Sequence, residues 1–248
     1  RLNKWLSRMG VCSRREADRL IEAGKVLVDN RPASMGQKVT PGQKVVCNGR
    51  MVRVDKSRKP RPVLLAVNKP RGIVCTTTDK DRAENIVDFL GYPERIYPVG
   101  RLDKDSEGLL LMTNQGDLVN KIMRSGNAHE KEYIVTIDKP VTEHFLEQMA
   151  GGIRLSELDQ VTRPCKVKKV DRNTFSIILT QGLNRQIRRM CEVCGCQVRR
   201  LVRVRIMNIR LGNLRTGAYR QITKEEYEEL TGLLKDSSSL SLKERKNR

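Results

Sequence analysis

The stretch "GRLDKDSEGLLL" (Gly100–Leu111) places three acids, Asp103, Asp105 and Glu107, directly before an apolar run in a chain that is otherwise strongly basic. Alternating acids closed by a glycine admit three readings: a calcium loop, a solvated turn, or a carboxylate with a chemical role. Counted from Asp103, an EF-hand would put Asp105 third, Glu107 fifth and Gly108 sixth, but its twelfth position, a bidentate acid, falls on Asn114. Positions seven to ten are Leu109 to Met112, an apolar strand whose backbone a sheet requires. Calcium is set aside. Asp105 and Glu107 suit a polar bend before Gly108. Asp103 suits it less, because it follows Arg101 and Leu102 directly after the strand "YPVG" (97–100), at the lip of a sheet.

Composition narrows the partner. The 248 residues hold 49 Lys+Arg against 29 Asp+Glu, a formal charge of +20, with 38% hydrophobic residues, enough for a packed core. The excess charge therefore belongs to a folded surface that concentrates polyanions. Nucleic acid is the expected partner. Acidic lipid is the alternative, but the sequence has no amphipathic anchor and no apolar run long enough to span a bilayer. No secretory pattern is visible, and a chain opening on Arg1 is expected to have lost or left out its initiating end. Seven cysteines, an odd number, indicate a reducing, cytoplasmic setting. Their cluster, Cys191, Cys194 and Cys196 in "CEVCGC", lacks a nearby fourth zinc ligand; Cys165 would have to supply it. Incidental thiols and no metal are expected.

Residues 1–54 read as a separate module. Leu2, Trp5, Leu6 and Met9 fall at helical spacing and stop at Gly10. Ser13 and Glu16 have capping-box spacing, Ala17, Leu20 and Ile21 form an apolar stripe, and Gly24 ends that helix. Arg14, Arg15 and Arg19 are left toward its N-terminal, solvent-facing side, where phosphate is favoured. "KVLVDNRPA" and "GQKVVCNGR" read as short strands. Residues 55–62 ("DKSRKPRP") read as a linker, and 236–248 as a mobile polar tail.

Residues 63–235 change character. "VLLAVNKP", "GIVCTT", "GLLLMTN", "EYIVTID", "TFSIILT" and "QVRRLVRVRI" read as strands; "AENIVDFL", "DLVNKIMRS", "TEHFLEQMAGG" and "NRQIRRMCEVCG" read as helices. The fold class is α+β: a small α/β module plus a larger mixed, mainly antiparallel domain. Arg185, Arg188 and Arg189, at i, i+3 and i+4, share a helix face that pattern alone assigns to phosphate. In the last strand, positions 199, 201, 203 and 205 read Arg, Leu, Arg, Arg, a basic face with Leu201 as its apolar exception.

Two resemblances follow from these residues. "RLNKWLSRMGVCSRREADRLIEAGKVLVDNR" resembles the S4-type RNA-binding domain. "GRLDKDSEGLLLMTNQGDL", "EKEYIVT" and "GLNRQIRRMCE" resemble, in order and spacing, the pseudouridine synthases, in the branch that carries an N-terminal S4-type domain and modifies ribosomal RNA. "RLNK", "CSRREAD", "NIVDF", "HEKEY" and "RIMN" point within it to large-subunit rRNA enzymes. The resemblance implies a cofactor-independent isomerase that flips a uridine out of structured RNA, 23S rRNA first and tRNA second. It implies Asp103 as nucleophile, Tyr133 stacked on the uracil, and Arg188 in ion contact with Asp103. Arg101 would replace the flipped nucleotide, and Leu201 would lie against the base. Lys131, beside Tyr133, joins Arg185 and Arg189 as expected RNA contacts. A monomer is the simplest expectation for so self-repelling a surface.

A non-catalytic RNA-binding assembly factor would keep the charge but has no use for a carboxylate facing phosphate; the triplet Asp103, Tyr133 and Arg188 favours catalysis. A metal-dependent nuclease needs converging carboxylates and usually histidine, and His129 and His144 belong to no metal-spaced cluster.

Overall fold

The computed structural model describes residues 1–52, 61–76 and 84–237. Most of the expected linker (55–62) and of the expected tail (236–248) therefore lies outside the described residues. The chain divides into two compact units, Arg1–Arg61 and Pro62–Arg248.

In the first unit, α1 (Leu2–Arg8) and α2 (Arg14–Glu22) pack on a four-stranded antiparallel sheet ordered β2-β1-β3-β4. Its strands are β1 (Val26–Val28), β2 (Arg31–Pro32), β3 (Val45–Cys47) and β4 (Arg50–Met51). Ser13 caps α2 by accepting a hydrogen bond from the Glu16 N–H at 3.1 Å. Leu2, Leu6, Ala17, Ile21, Val26 and Val45 close the core. Burying each large aliphatic side chain contributes about 1.5–3 kcal/mol. Arg14 and Arg15 stay exposed in the first turn of α2. Arg19 instead lies in its last turn, paired with Glu16 at 3.4 Å, because a nine-residue helix carries position 19 past its midpoint.

The second unit begins with β5 (Leu64–Lys69), α3 (Ile86–Leu90), β6 (Tyr97–Val99), β7 (Glu107–Thr113), α4 (Gly116–Met123), β8 (Lys131–Ile137) and α5 (Glu143–Gly151). After a small ribbon of β9 (Arg154–Leu155) and β10 (Gln160–Val161) come β11 (Lys166–Asp171), β12 (Thr174–Leu179), α6 (Gln186–Val193) and β13 (Val198–Ile206). The unit finishes with β14 (Ile209–Arg210), β15 (Tyr219–Gln221) and α7 (Lys224–Leu233). Nine strands form one mixed sheet along β11-β12-β8-β13-β7-β5-β15, with β14 beside β13 and β6 beside β7. The β13–β7 pair is its parallel junction. "GIVCTT" departs from its expected strand: the described part makes a single bridge, Val74 to Asn85, and Thr77 lies outside the described residues. No helix among the described residues is long and apolar enough to cross a membrane.

The continuous apolar run of β7 is explained by burial on both faces. Leu109 and Leu111 pack with Leu118 and Ile122 of α4 and Leu230 of α7, whereas Leu110 and Met112 pack with Ile73, Ile86 and Ile96. Farther along the sheet, Val135, Phe175, Ile177 and Leu201 pack beneath Phe145 and Met149 of α5 and Ile187 and Met190 of α6.

The registers draw one row across the sheet. Lys69 pairs with Gly108, Gly108 with Arg203, Arg203 with Tyr133, and Tyr133 with Ile177. Gly108 is required there twice over. Its φ is +101°, and a Cβ would lie 2.4 Å from the carbonyl oxygen of Arg203. Gly108→Ala should therefore destabilise the second unit by more than about 2 kcal/mol, through clash and backbone strain together. Gly212→Ala, at φ +55° with open space around it, should cost about 1 kcal/mol. Equal midpoint shifts in urea unfolding of the two variants would refute the close-approach argument.

Candidate active site

Asp103 is carried on the loop between β6 and β7, whose carbonyl oxygens are used from below. The Nζ of Lys69, at the end of β5, donates to the carbonyls of Pro70 and Ser106, each at 2.8 Å. Arg203 Nε donates to Leu109 O at 2.7 Å. Arg188, on α6, donates to Asp105 O at 3.0 Å, to Ser106 Oγ at 3.4 Å and to Val198 O at 3.4 Å. The Ser106 N–H closes the turn on Asp103 O at 3.1 Å. Burial lowers the pKa of Lys69 and the charges of Asp103, Asp105 and Glu107 oppose that shift, so the loop supplies the anions that the buried ammonium faces.

Above this floor lies an open cleft of about 550 Å³, lined by Arg71, Gly72, Asp103, Lys104, Asp105 and Arg185. Asp103 is 39% exposed at its mouth. Its guanidinium neighbour is Arg185 Nη1 at 3.7 Å, too far for a hydrogen bond. Arg185 is instead bidentate to Asp105, at 3.2 Å on each arm. Arg188 Nη2 reaches the same Asp105 carboxylate at 3.3 Å. The expected ion contact of Arg188 with Asp103 is thus corrected: buried on the inner side of α6, Arg188 meets the Asp105 end of the loop. Burial would raise the Asp105 pKa, but the hydrogen bonds from Arg185 and the charges of both arginines hold it below the usual carboxylate range. Burial pulls Arg188 down against Asp105, whereas the Asp105 hydrogen bond raises Arg185.

The shared arginine face on this helix also needs correction. Arg185 is the helix N-cap, in the left-handed region at φ 49°, and Arg188 is buried. Arg189 ion-pairs with Glu157 and donates from Nε to Asn184 O at 3.1 Å. No single phosphate-binding face is left.

The basic face expected on β13 also dissolves. Arg203 is 1% exposed, and Arg205 pairs with Glu132 at 2.8 Å and Glu130 at 3.0 Å. Bulges at Val198/Arg200 and Arg203/Arg205 break the alternation that a regular strand would keep. Leu201 is buried in the α5–α6 core, and Tyr133 packs against the same cluster, half-buried. Register puts Tyr133 two strands from Gly108, roughly 10 Å across the sheet. Arg101 is exposed on the Asp103 loop.

Lys131 is another correction. It is 6% exposed and donates to His129 O at 3.2 Å, so it has no surface to offer a phosphate. Burial first, then the charge of Arg203, lowers its pKa to about 8. Cys191 and Cys196 are buried and Cys194 is half-buried. No group of three or more His, Cys, Asp or Glu among the described residues is placed to hold a metal ion.

Sequence reasoning did not single out Lys69, Arg71, Lys104 or Asp105 as site residues. The signal available for the first two was "NKPRG" (68–72), a basic turn that follows a strand directly. For Asp105 the signal was its i+2 spacing from Asp103, which a solvated bend explains equally well.

Comparison with known proteins gives a consistent picture. Residues 63–193 match the family described as RNA pseudouridylate synthase, and residues 1–45 match the S4 domain. The chain is 52% identical over 239 residues to the dual-specificity RNA pseudouridine synthase RluF of Escherichia coli strain K12, covering 96% of this chain and 81% of the relative. It is 34% identical to the ribosomal large subunit pseudouridine synthase B of Bacillus subtilis strain 168, covering 94% of this chain and 96% of the relative. A crystal structure of a pseudouridylate synthase aligns with a TM-score of 0.68 at 28% identity, covering 93% of this chain and 99% of that one.

The geometry around Lys131 gives a pH prediction. With its folded pKa depressed, Lys131 opposes folding below about pH 8, and stability returns as pH rises from there toward 10.5, its ordinary value. Lys131→Met should stabilise the second unit near pH 7 by roughly 2–3 kcal/mol, an advantage that shrinks by pH 10. A stability difference that stays constant between pH 7 and pH 10 in chemical denaturation would show that the site is not desolvated.

Proposed function

The chain belongs to the RNA pseudouridylate synthase family and carries an S4 domain, and on that premise we propose that Asp103 is the nucleophile that isomerises a uridine in structured RNA. Large-subunit ribosomal RNA is the leading substrate, in keeping with the names of its relatives, and tRNA is the other structured RNA to be tried. In this reading the enzyme acts as a monomer. The observation that carries the reading is a carboxylate at the mouth of a cationic cleft, with a guanidinium 3.7 Å away and not hydrogen-bonded to it.

The ionised Asp103 attacks the ribose C1′ or the base C6 of a nucleotide extruded from its stack. The N-glycosidic bond breaks with its electron pair left on N1, the uracil turns within the pocket, C5 bonds to C1′, the bond to Asp103 breaks and returns the carboxylate, and C5 loses a proton while N1 gains one. Tyr133, on the central row of the sheet, presents a ring to the uracil face, whereas Leu201, expected against the base, is buried in the core cluster that Tyr133 packs on. Arg101 occupies the place left in the RNA, and Arg71 and Lys104 at the cleft walls meet the flanking phosphates. The bond changes conserve all atoms of the uridine, so no redox partner is needed.

Asp103→Asn should abolish pseudouridine formation, by at least ~10³-fold, on protein-free large-subunit rRNA. The readout is carbodiimide labelling with primer-extension stops. RNA binding should survive, because the change removes a negative charge that faces phosphate. If neither wild type nor variant produces a stop on any rRNA or tRNA while both bind, the assembly-factor reading takes over.

The first unit contributes Arg14 and Arg15 as exposed phosphate contacts. Replacing both with alanine should weaken binding to all sequences alike and reduce the slope of log Kd against log salt by about 1–2. An unchanged slope would remove them from the interface.

A further inference from the structure

We propose that Asp105 is a positioning residue for the reaction, holding Arg185 and Arg188 so that Asp103 is charged but keeps its lone pairs free. This rests on Asp103 being the nucleophile. Two carboxylates, Asp103 and Asp105, line the cleft, and their pairing with Arg185 and the buried Arg188 is unequal. Asp105 takes both arms of Arg185 at 3.2 Å and Arg188 at 3.3 Å, while Asp103 is left with a single guanidinium nitrogen at 3.7 Å. A bidentate guanidinium occupies both oxygens of a carboxylate and lowers its basicity. An attacking carboxylate is better served by the same cation held slightly apart.

Backbone geometry supports the assignment. Arg185 stands in the left-handed region, φ 49° and ψ 34°, at an N-cap that makes no side-chain capping bond. An unbranched but bulky residue rarely occupies that region without compensating contacts, and the Asp105 pair supplies one. Arg188 adds a second tie, because its Nη2 bonds the Asp105 carbonyl as well as the carboxylate, fixing backbone and side chain together. The other charges facing this group are accounted for. Lys69 lies beneath, Arg71 and Lys104 line the cleft, Glu107 is paired with Arg200, and Glu192 of α6 acts on Arg185. With Asp105 neutral, Asp103 is the nearest remaining carboxylate for Arg185.

The test is single-turnover kinetics against pH for wild type, Asp105→Asn, Asp105→Glu, Arg185→Gln and the Asp105→Asn/Arg185→Gln double variant, with Asp103→Asn alongside. Asp105→Asn is expected to slow the chemical step by about 10–100-fold. It should move the acidic limb of the profile to lower pH as Arg185 closes on Asp103. RNA affinity should hold or rise, and Asp105→Glu should recover part of the rate. If Asp105 acts through Arg185, the double variant is no slower than Arg185→Gln alone. An unchanged rate in Asp105→Asn overturns the proposal. So does a slower rate with an unmoved acidic limb and additive effects in the double variant, since that is merely a less stable loop. Activity in Asp103→Asn would instead overturn the nucleophile assignment, whatever Asp105 does.

Discussion

Three buried cations, Lys69, Arg188 and Arg203, bond to backbone carbonyls of the Asp103 loop and the start of β7, and this is the constraint that the rest of the second unit serves. An ammonium or guanidinium taken out of water is costly unless its protons find acceptors. Here the acceptors are the carbonyls of Pro70, Asp105, Ser106 and Leu109, and Val198 on the neighbouring strand. The dependence is mutual. Residues 105 to 109 cannot adopt another path without stranding a buried charge, so the loop that presents Asp103 is held in place by the cations it bonds. The compensation is incomplete: one Nη of Arg203 and the Nε of Arg188 have no hydrogen-bond partner among the described residues. Such a network specifies a conformation more than it adds stability.

The sheet supplies the complementary constraint. A parallel junction between β7 and β13 brings the acidic loop alongside the strand that carries Leu201 and Arg203, and Gly108 permits the two backbones to approach. Antiparallel pairing of β13 with β8 then sets Tyr133 next in the same row. Asp103 and Tyr133, some 30 residues apart in sequence, are thus placed by register rather than by local structure. One residue of slip in β13 would turn Leu201 and Arg203 to the opposite face, and the bulges flanking them show how narrowly the alternation is kept.

How much of this could be read from the residues alone depended on the range of the interaction. Local signals were legible: Ser13 as a cap, the apolar stripe of α2, the period and length of β7, and Asp103 as the acid that a solvated turn explains least well. Helix α7 was equally legible in principle, since Thr223 and Glu226 form a reciprocal capping box, although its low hydrophobicity hides it. Long-range consequences were not legible. Lys131 looks like a phosphate contact because lysine is usually exposed, and only the sheet shows that it is buried. Arg203 and Arg205 look like a basic face until one is found under the loop and the other between two glutamates. The choice of Arg188 between Asp103 and Asp105 turns on a few ångströms at the end of a helix, and no periodicity encodes that.

The acidic loop therefore does not set a repulsive patch in an RNA-binding surface. Asp105 is neutralised by Arg185 and Arg188, and Glu107 by Arg200. Lys69 lies under all three acids. Of the three, Asp103 alone is both exposed toward the cleft and without a hydrogen-bonded cation. The cleft lined by Arg71, Lys104 and Arg185 is positive on balance, and of its two carboxylates Asp105 is the one hydrogen-bonded to a guanidinium. In the proposed reaction, the surplus of basic residues, which composition alone assigns to RNA affinity, also offsets the repulsion between a carboxylate nucleophile and the phosphates around it. The pairing pattern divides the cations: those bound to Asp105 and Glu107 shape the loop, and Arg71 and Lys104 at the cleft wall are the proposed RNA contacts.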